Sequence, residues 1–124
     1  MRFLIDTVTF IQALQCPERI SARALSAIQD DEAVREFSAL SITEIAIRNG
    51  KGKLNLRREA IVAGLADLRM QVLPWNARHA FRLFDLPQHH ADPFDRQIFA
   101  QALAENNSIV TRDEKFRLYE GVSR

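Results

Sequence analysis

Short apolar runs alternate along this chain with stretches of helical period, and that order constrains the fold more than any other feature. Arg2-Phe-Leu-Ile5, Ala33 to Ala39 (centred on Val34 to Phe37), Met70 to Leu73 and Ser108 to Thr111 each suit a short buried strand. Thr7 to Leu14 reads as a helix. Pro17 can begin a second one, in which Ile20, Ala24, Leu25 and Ile28 recur at helical spacing. Asp30-Asp-Glu32 is a solvated turn. Ser41-Ile-Thr-Glu44 matches a capping box, so a helix is expected to open there, with Ile42, Ile45 and Ala46 on one face and Asn49-Gly50 at its end. Arg57 to Leu68 is a further helix, Asn76 caps one running to about Phe84, and Pro87 to Ala91 is loop. Asp92 as N-cap with Pro93 at the first helical position starts a helix that reaches Glu105, where Asn106-Asn107 stops it. A short helical turn is expected around Glu114 to Leu118. Strands alternating with helices predict an α/β fold with a short, mostly parallel sheet flanked by helices.

Composition narrows the class. A length of 124 residues suits one domain, 1–124, able to bury roughly two-thirds of its unfolded surface. Apolar residues at 47% and charged ones at 27% exclude wholesale disorder. The formal charge of +1 names no partner by itself. Cys16 is the single cysteine, so no intrachain disulfide can form and a reducing compartment is expected. It has no activating base beside it and reads as a structural thiol. No apolar run approaches the roughly 20 residues of a membrane span, and the N-terminus lacks the apolar core of a signal peptide. The expectation is a soluble, cytoplasmic protein with no membrane partner.

Acidic residues stand where these strands end and helices begin. Asp6 follows Phe3-Leu4-Ile5, Glu44 lies within Leu40 to Ile47, Asp95 opens the stretch to Leu103, and Asp113 follows Ser108 to Arg112. Parallel sheets place ligand sites beyond the carboxyl ends of their strands, which is where Asp6 and Asp113 fall. Glu44 and Asp95 would begin helices flanking the same edge, and a helix N-terminus favours the ionised form that a metal needs. Carboxylates gathered in one cleft raise each other's pKa, and a hard cation such as Mg2+ (or Mn2+) relieves that repulsion. Thr111 could hydrogen-bond a ligand carboxylate or a water from outside the ligand set.

Such a site permits hydrolysis of a phosphodiester, in which the ion activates water and neutralises phosphate charge. Arg48, Lys51, Lys53, Arg57 and Arg58 lie close together beside Glu44 with no acid among them, a local patch suited to phosphates. Arg96, Arg112, Lys115 and Arg117 add charge near the other two acids.

Ile5-Asp6-Thr7, Ser41-x-x-Glu44-Ile-Ala-Ile-Arg48, Gly52-Lys53-Leu54, His90-Ala-Asp-Pro-Phe-Asp-Arg96 and Val110-Thr-Arg-Asp113-x-x-Phe116 come in an order and spacing that resembles PIN-domain proteins. The set looks most like the VapC-type toxins of toxin–antitoxin pairs and covers nearly the whole chain. His-x-Asp-Pro-Phe-Asp-Arg is its most specific part. The resemblance implies a PIN-like three-layer α/β sandwich and a metal-dependent endoribonuclease. It implies an acidic quartet at Asp6, Glu44, Asp95 and Asp113, a homodimer, and a cognate antitoxin whose tail enters the cleft. On this reading Asp6 and Asp95 bind the main ion, Glu44 and Asp113 complete the site or hold the attacking water, and Asp92 and Thr111 support it. Arg48, Lys51, Lys53 and Arg96 guide RNA.

Plainer roles compete for the same residues. Asp6, Asp92 and Asp113 can each cap a helix, and Glu44 can close its capping box, although it cannot use the same oxygens for both tasks. His89 and His90 beside Asp92 could suggest zinc, but no further His or Cys stands at ligand spacing; His79 reads as structural. Phe81, Phe84, Phe94 and Phe99 read as core or dimer interface rather than base-stacking platforms. Val8 stands where the family often carries a polar residue, as a non-catalytic RNA- or protein-binding module retaining the fold would allow. A receiver-like phosphoacceptor domain would need an acidic pair near the first strand and an acceptor Asp after a middle strand; the chain has neither.

Overall fold

The computed structural model describes residues 1–87 and 92–111. The strands β1 (Arg2–Ile5), β2 (Val34–Ser38), β3 (Met70–Leu73) and β4 (Ser108–Val110) form one sheet in the order β3-β2-β1-β4, every pairing parallel. Between them run α1 (Thr7–Gln15), α2 (Ala22–Ile28), α3 (Ala39–Gly50), α4 (Arg58–Asp67), α5 (Ala77–Arg82) and α6 (Pro93–Glu105). The α/β architecture expected from the alternating runs is what the chain adopts. Gln88 to Ala91, with His89, His90 and most of the loop expected there, lie outside the described residues, as do Arg112, Asp113, Lys115, Arg117 and the turn expected at Glu114 to Leu118.

Register divides the strands between two helical layers. Ile5, Phe37 and Val110 lie side by side on one face and pack with Phe10 of α1, Ala24 and Ile28 of α2, Ile45 of α3 and Ile61 of α4. Phe10 and Phe37 stack with ring centroids 4.1 Å apart. On the other face, Leu4 and Leu73 pack with Ile98 and Ala102 of α6. Gly64 of α4 lets that helix approach α1, since a Cβ there would stand 2.6 Å from Leu14 Cδ2.

Two boundaries differ from the sequence reading. The segment opened by Pro17 is a 3-10 turn, Pro17–Arg19, and α2 starts afresh after Ser21, whose side chain accepts from the Ala24 N–H. The helix expected from Ser41 starts earlier. Ser38 caps α3 by accepting from the Leu40 N–H, so β2 runs into the helix with no loop between them. Ser41 therefore sits inside the first turn and Glu44 one turn further on, and the capping box does not form. The aromatics also separate. Phe99 is core, whereas Phe81 and Phe84 are 69% and 84% exposed and stack on one another with centroids 6.3 Å apart, so neither belongs to the core.

A polar cluster ties the start of β1 to the end of α6. Glu36, buried on the Leu4 face, accepts from Arg2 Nη2 at 2.8 Å and from Asn107 Nδ2 at 2.9 Å. Arg2 also reaches the Glu105 carbonyl at 2.9 Å and its carboxylate at 3.3 Å. His79 is fully buried; its Nδ1 accepts from the Asn76 N–H, so Nε2 carries the proton given to Glu105 Oε2 at 2.7 Å. Arg78 pairs with the same carboxylate. The His79 hydrogen bond holds the Glu105 carboxyl below its usual value against burial, with Arg2 and Arg78 adding to the effect. A lowered folded pKa means that this stability is complete above the unfolded glutamate value, about 4.3, and is lost as pH falls through the folded value. The urea midpoint of the parent should therefore drop in that acid range. Glu105→Gln should start lower at neutral pH and show a shallower acid decline; parallel profiles would remove Glu105 from the acid response.

Candidate functional site

Strand order reverses beside β1: the chain moves outward from β1 through β2 to β3, then returns to place β4 on the other side of β1. In an open parallel sheet the crevice for a ligand lies at such a point, beyond the carboxyl ends of the strands. Asp6 stands there, its N–H bonded to the Val110 carbonyl at 3.1 Å.

Asp6 is buried and caps α1, Oδ1 accepting from the Thr9 N–H at 2.8 Å and Oδ2 from the Thr111 hydroxyl. A carboxylate offers about four acceptor positions, so these bonds leave room for a further partner on each oxygen. The two contacts also fix its rotamer, because one comes from its own helix and the other from the residue after β4.

Glu44 projects from α3, half-buried, and its Oε1 is buried with no hydrogen-bond partner among the described residues. Burial pushes its carboxyl above the ordinary value; a hydrogen bond from the Thr7 hydroxyl opposes this, Asp92 pushes further, Arg48 opposes, and Asp6 pushes again. The electrostatic coupling brings Asp6, Glu44 and Asp92 into one neighbourhood. Thr7 and Ser41 belong there too: their hydroxyl oxygens, both buried, are 2.7 Å apart. Sequence reading assigned neither of them this role. In the sequence Ser41 reads as a capping-box residue, and both residues enter the family resemblance only as parts of its motifs.

Asp92 caps α6 through Oδ1 and the Phe94 N–H at 2.9 Å. Asp95 lies in the first turn of the same helix, partly buried. Asp113 lies outside the described residues. Arg48 occupies the last turn of α3, and Lys51 and Lys53 are exposed in the turn beyond it, where Gly52 adopts φ 71°. Asn49 pins that turn, its side chain bonding both the N–H and the carbonyl of Leu56. Arg96 leans into the protein: Nη2 reaches the Leu86 carbonyl at 3.5 Å, and Nε is buried with no partner among the described residues. Val8 faces outward, 49% exposed.

An orphaned, buried carboxylate oxygen beside a second carboxylate is a donor set for a hard cation. Among the described residues, no three His, Cys, Asp or Glu side chains gather closely enough to cage an ion by themselves. Magnesium does not require a cage: it keeps several waters and binds through one or two carboxylates. Asp6 and Glu44 fit that pattern in donor chemistry.

A family model for the PIN domain matches residues 3–122. No curated protein sequence matches the chain. Among solved structures, one titled as the crystal structure of VapBC2 from Rickettsia felis bound to a DNA fragment from their promoter matches with a TM-score of 0.72 and 18% identity, over 97% of this chain and 94% of that one. The structural likeness carries the fold, and the family match carries the kinship. The chain belongs to the PIN-domain family.

Proposed function

We propose that this chain is a metal-dependent endoribonuclease and the toxin of a toxin–antitoxin pair. The observation that carries the reading is Glu44 Oε1: a buried acceptor with no partner among the described residues, coupled to Asp6 at the switch point of the sheet. A buried acceptor left without a protein partner calls for one, and a bound ion with its waters supplies it. PIN domains are generally nucleases that use divalent ions, which agrees with this chemistry. The solved VapBC2 structure, matched across nearly all of both chains, supports an antitoxin as partner.

Asp6, Glu44, Asp95 and Asp113 would hold Mg2+ or Mn2+, with Thr111 and Asp92 in support. When bound, the ion lowers the pKa of a water and offsets charge on the phosphate. Asp6 presents oxygens already oriented by Thr9 and Thr111. Glu44 Oε1 is an acceptor for a proton of the attacking water. Arg48, Lys51, Lys53 and Arg96 would bind the RNA backbone. Two copies would associate as a homodimer, and the cleft would take the antitoxin's tail when the toxin is held inactive.

Direct attack by water breaks the bond from phosphorus to the 3′ oxygen and leaves a 5′-phosphate and a 3′-hydroxyl. The test is cleavage of a mixed RNA pool by the purified chain, free of antitoxin, with Mg2+ or Mn2+ and with chelator. Cleavage that needs the ion and yields 5′-phosphate ends is expected. A 2′,3′-cyclic phosphate product, or full activity in chelator, would overturn the mechanism. A folded chain that binds RNA without cutting it would instead identify a binding module on the same fold.

A further inference from the structure

We infer that Thr7 and Ser41 are positioning residues whose shared hydrogen bond sets the separation of the Asp6 and Glu44 carboxylates for ion binding. The inference rests on the metal-dependent reading above. Thr7 directly follows Asp6 at the start of α1, and Ser41 lies one helical turn before Glu44 on α3. Their oxygens meet at 2.7 Å across 34 residues of sequence, with 3% and 0% exposure. The hydrogen bond links the two junctions that carry the carboxylates, one following β1 and the other β2. Either hydroxyl can donate, because both rotate to suit their neighbours. As placed, the Thr7 hydroxyl donates to Ser41 Oγ. Val8, the next residue along α1, points to solvent and offers no polar contact.

Stability alone does not account for this pair. Replacing both partners of a buried hydrogen bond by apolar groups of similar shape is often nearly neutral, so what a hydroxyl pair adds is a fixed geometry. An ion held by few carboxylates is sensitive to their spacing, and partners one step behind the ligands typically matter by about 10- to 100-fold in affinity.

The experiment measures Mn2+ binding by the loss of the free-ion paramagnetic resonance signal, on the full chain, beside thermal melts. Thr7→Val keeps the shape and removes the hydroxyl; Thr7→Ser restores it; Ser41→Ala breaks the bond from the other side. Thr7→Val and Ser41→Ala should each weaken Mn2+ binding at least about tenfold. The double variant should be no weaker than either single one, and Thr7→Ser should return near the parent. Parent-like binding by a folded Thr7→Val or Ser41→Ala, or failure of Thr7→Ser to rescue, would overturn the inference while the metal site stands. If Thr7→Val does not fold, Ser41→Ala decides alone. No Mn2+ binding by the parent would overturn the metal reading, and this inference with it.

Discussion

Glu44→Gln is expected to lower RNA cleavage at least about 100-fold while leaving thermal stability equal to or above that of the parent. The two effects share one cause. Glu44 holds a half-buried carboxylate whose Oε1 has no partner among the described residues, near the charges of Asp92 and Asp6. Its pKa is raised in the fold, principally by burial. A carboxyl with a raised folded pKa binds its proton more tightly when folded, so its contribution to stability falls as pH rises from the unfolded value through the folded one. The cost therefore grows as pH rises through that interval. Glutamine has the same shape and no charge, so it removes the cost together with the ligand. Melting temperatures of both proteins across the carboxylate range should separate as pH rises, with the variant the higher. Cleavage within about threefold of the parent would remove Glu44 from the site.

Phe37→Ala should destabilise the chain by about 3–5 kcal/mol, a large part of the roughly 5–15 kcal/mol that typically holds a domain together. Phe37 is fully buried in β2 and stacks on Phe10 of α1. Truncation loses both transfer energy and ring contact, and it leaves a void that the flanking strands β1 and β3 cannot close without losing register. Phe37 also directly precedes Ser38, the cap of α3, so the void opens beneath the helix that carries Glu44. Urea unfolding would show the loss as a lower midpoint with an unchanged slope. A shift below about 1 kcal/mol would mean that the stack contributes little to the core.

Local chemistry made much of this fold readable. β1 and β3 lie where the apolar runs Arg2–Ile5 and Met70–Leu73 placed them, and α6 runs from Asp92 and Pro93 to Glu105 as the cap and the stop at Asn106 require. Asn106 takes the left-handed conformation, φ 56°, that such a stop uses. The start of α3 was misread because Ser38 and Ser41 are both plausible caps, and only the end of β2 decides between them. Asp6 and Glu44 were legible as acids out of place beside apolar runs, and Asp92 as the cap of α6. Thr111 was legible as a hydroxyl partner for one of these carboxylates and bonds Asp6, whereas Thr7 and Ser41 were not, since their contact comes from the meeting of two helices. The cluster around Glu105 was equally hidden, because Arg2 and Glu105 lie 103 residues apart and neither stands out in its own segment.

That cluster anchors α6 at its C-terminal end. Glu105 is clamped to β1 and α5, while Asp95 rides near the opposite end, ten residues away or about 15 Å along the axis. A tilt of roughly 4° about the clamp carries Asp95 through about 1 Å, a displacement that can cost about 100-fold in rate where groups must be aligned. Substitutions at Arg2 or His79, which touch no proposed ligand, would thus alter turnover by re-aiming the far end of the helix.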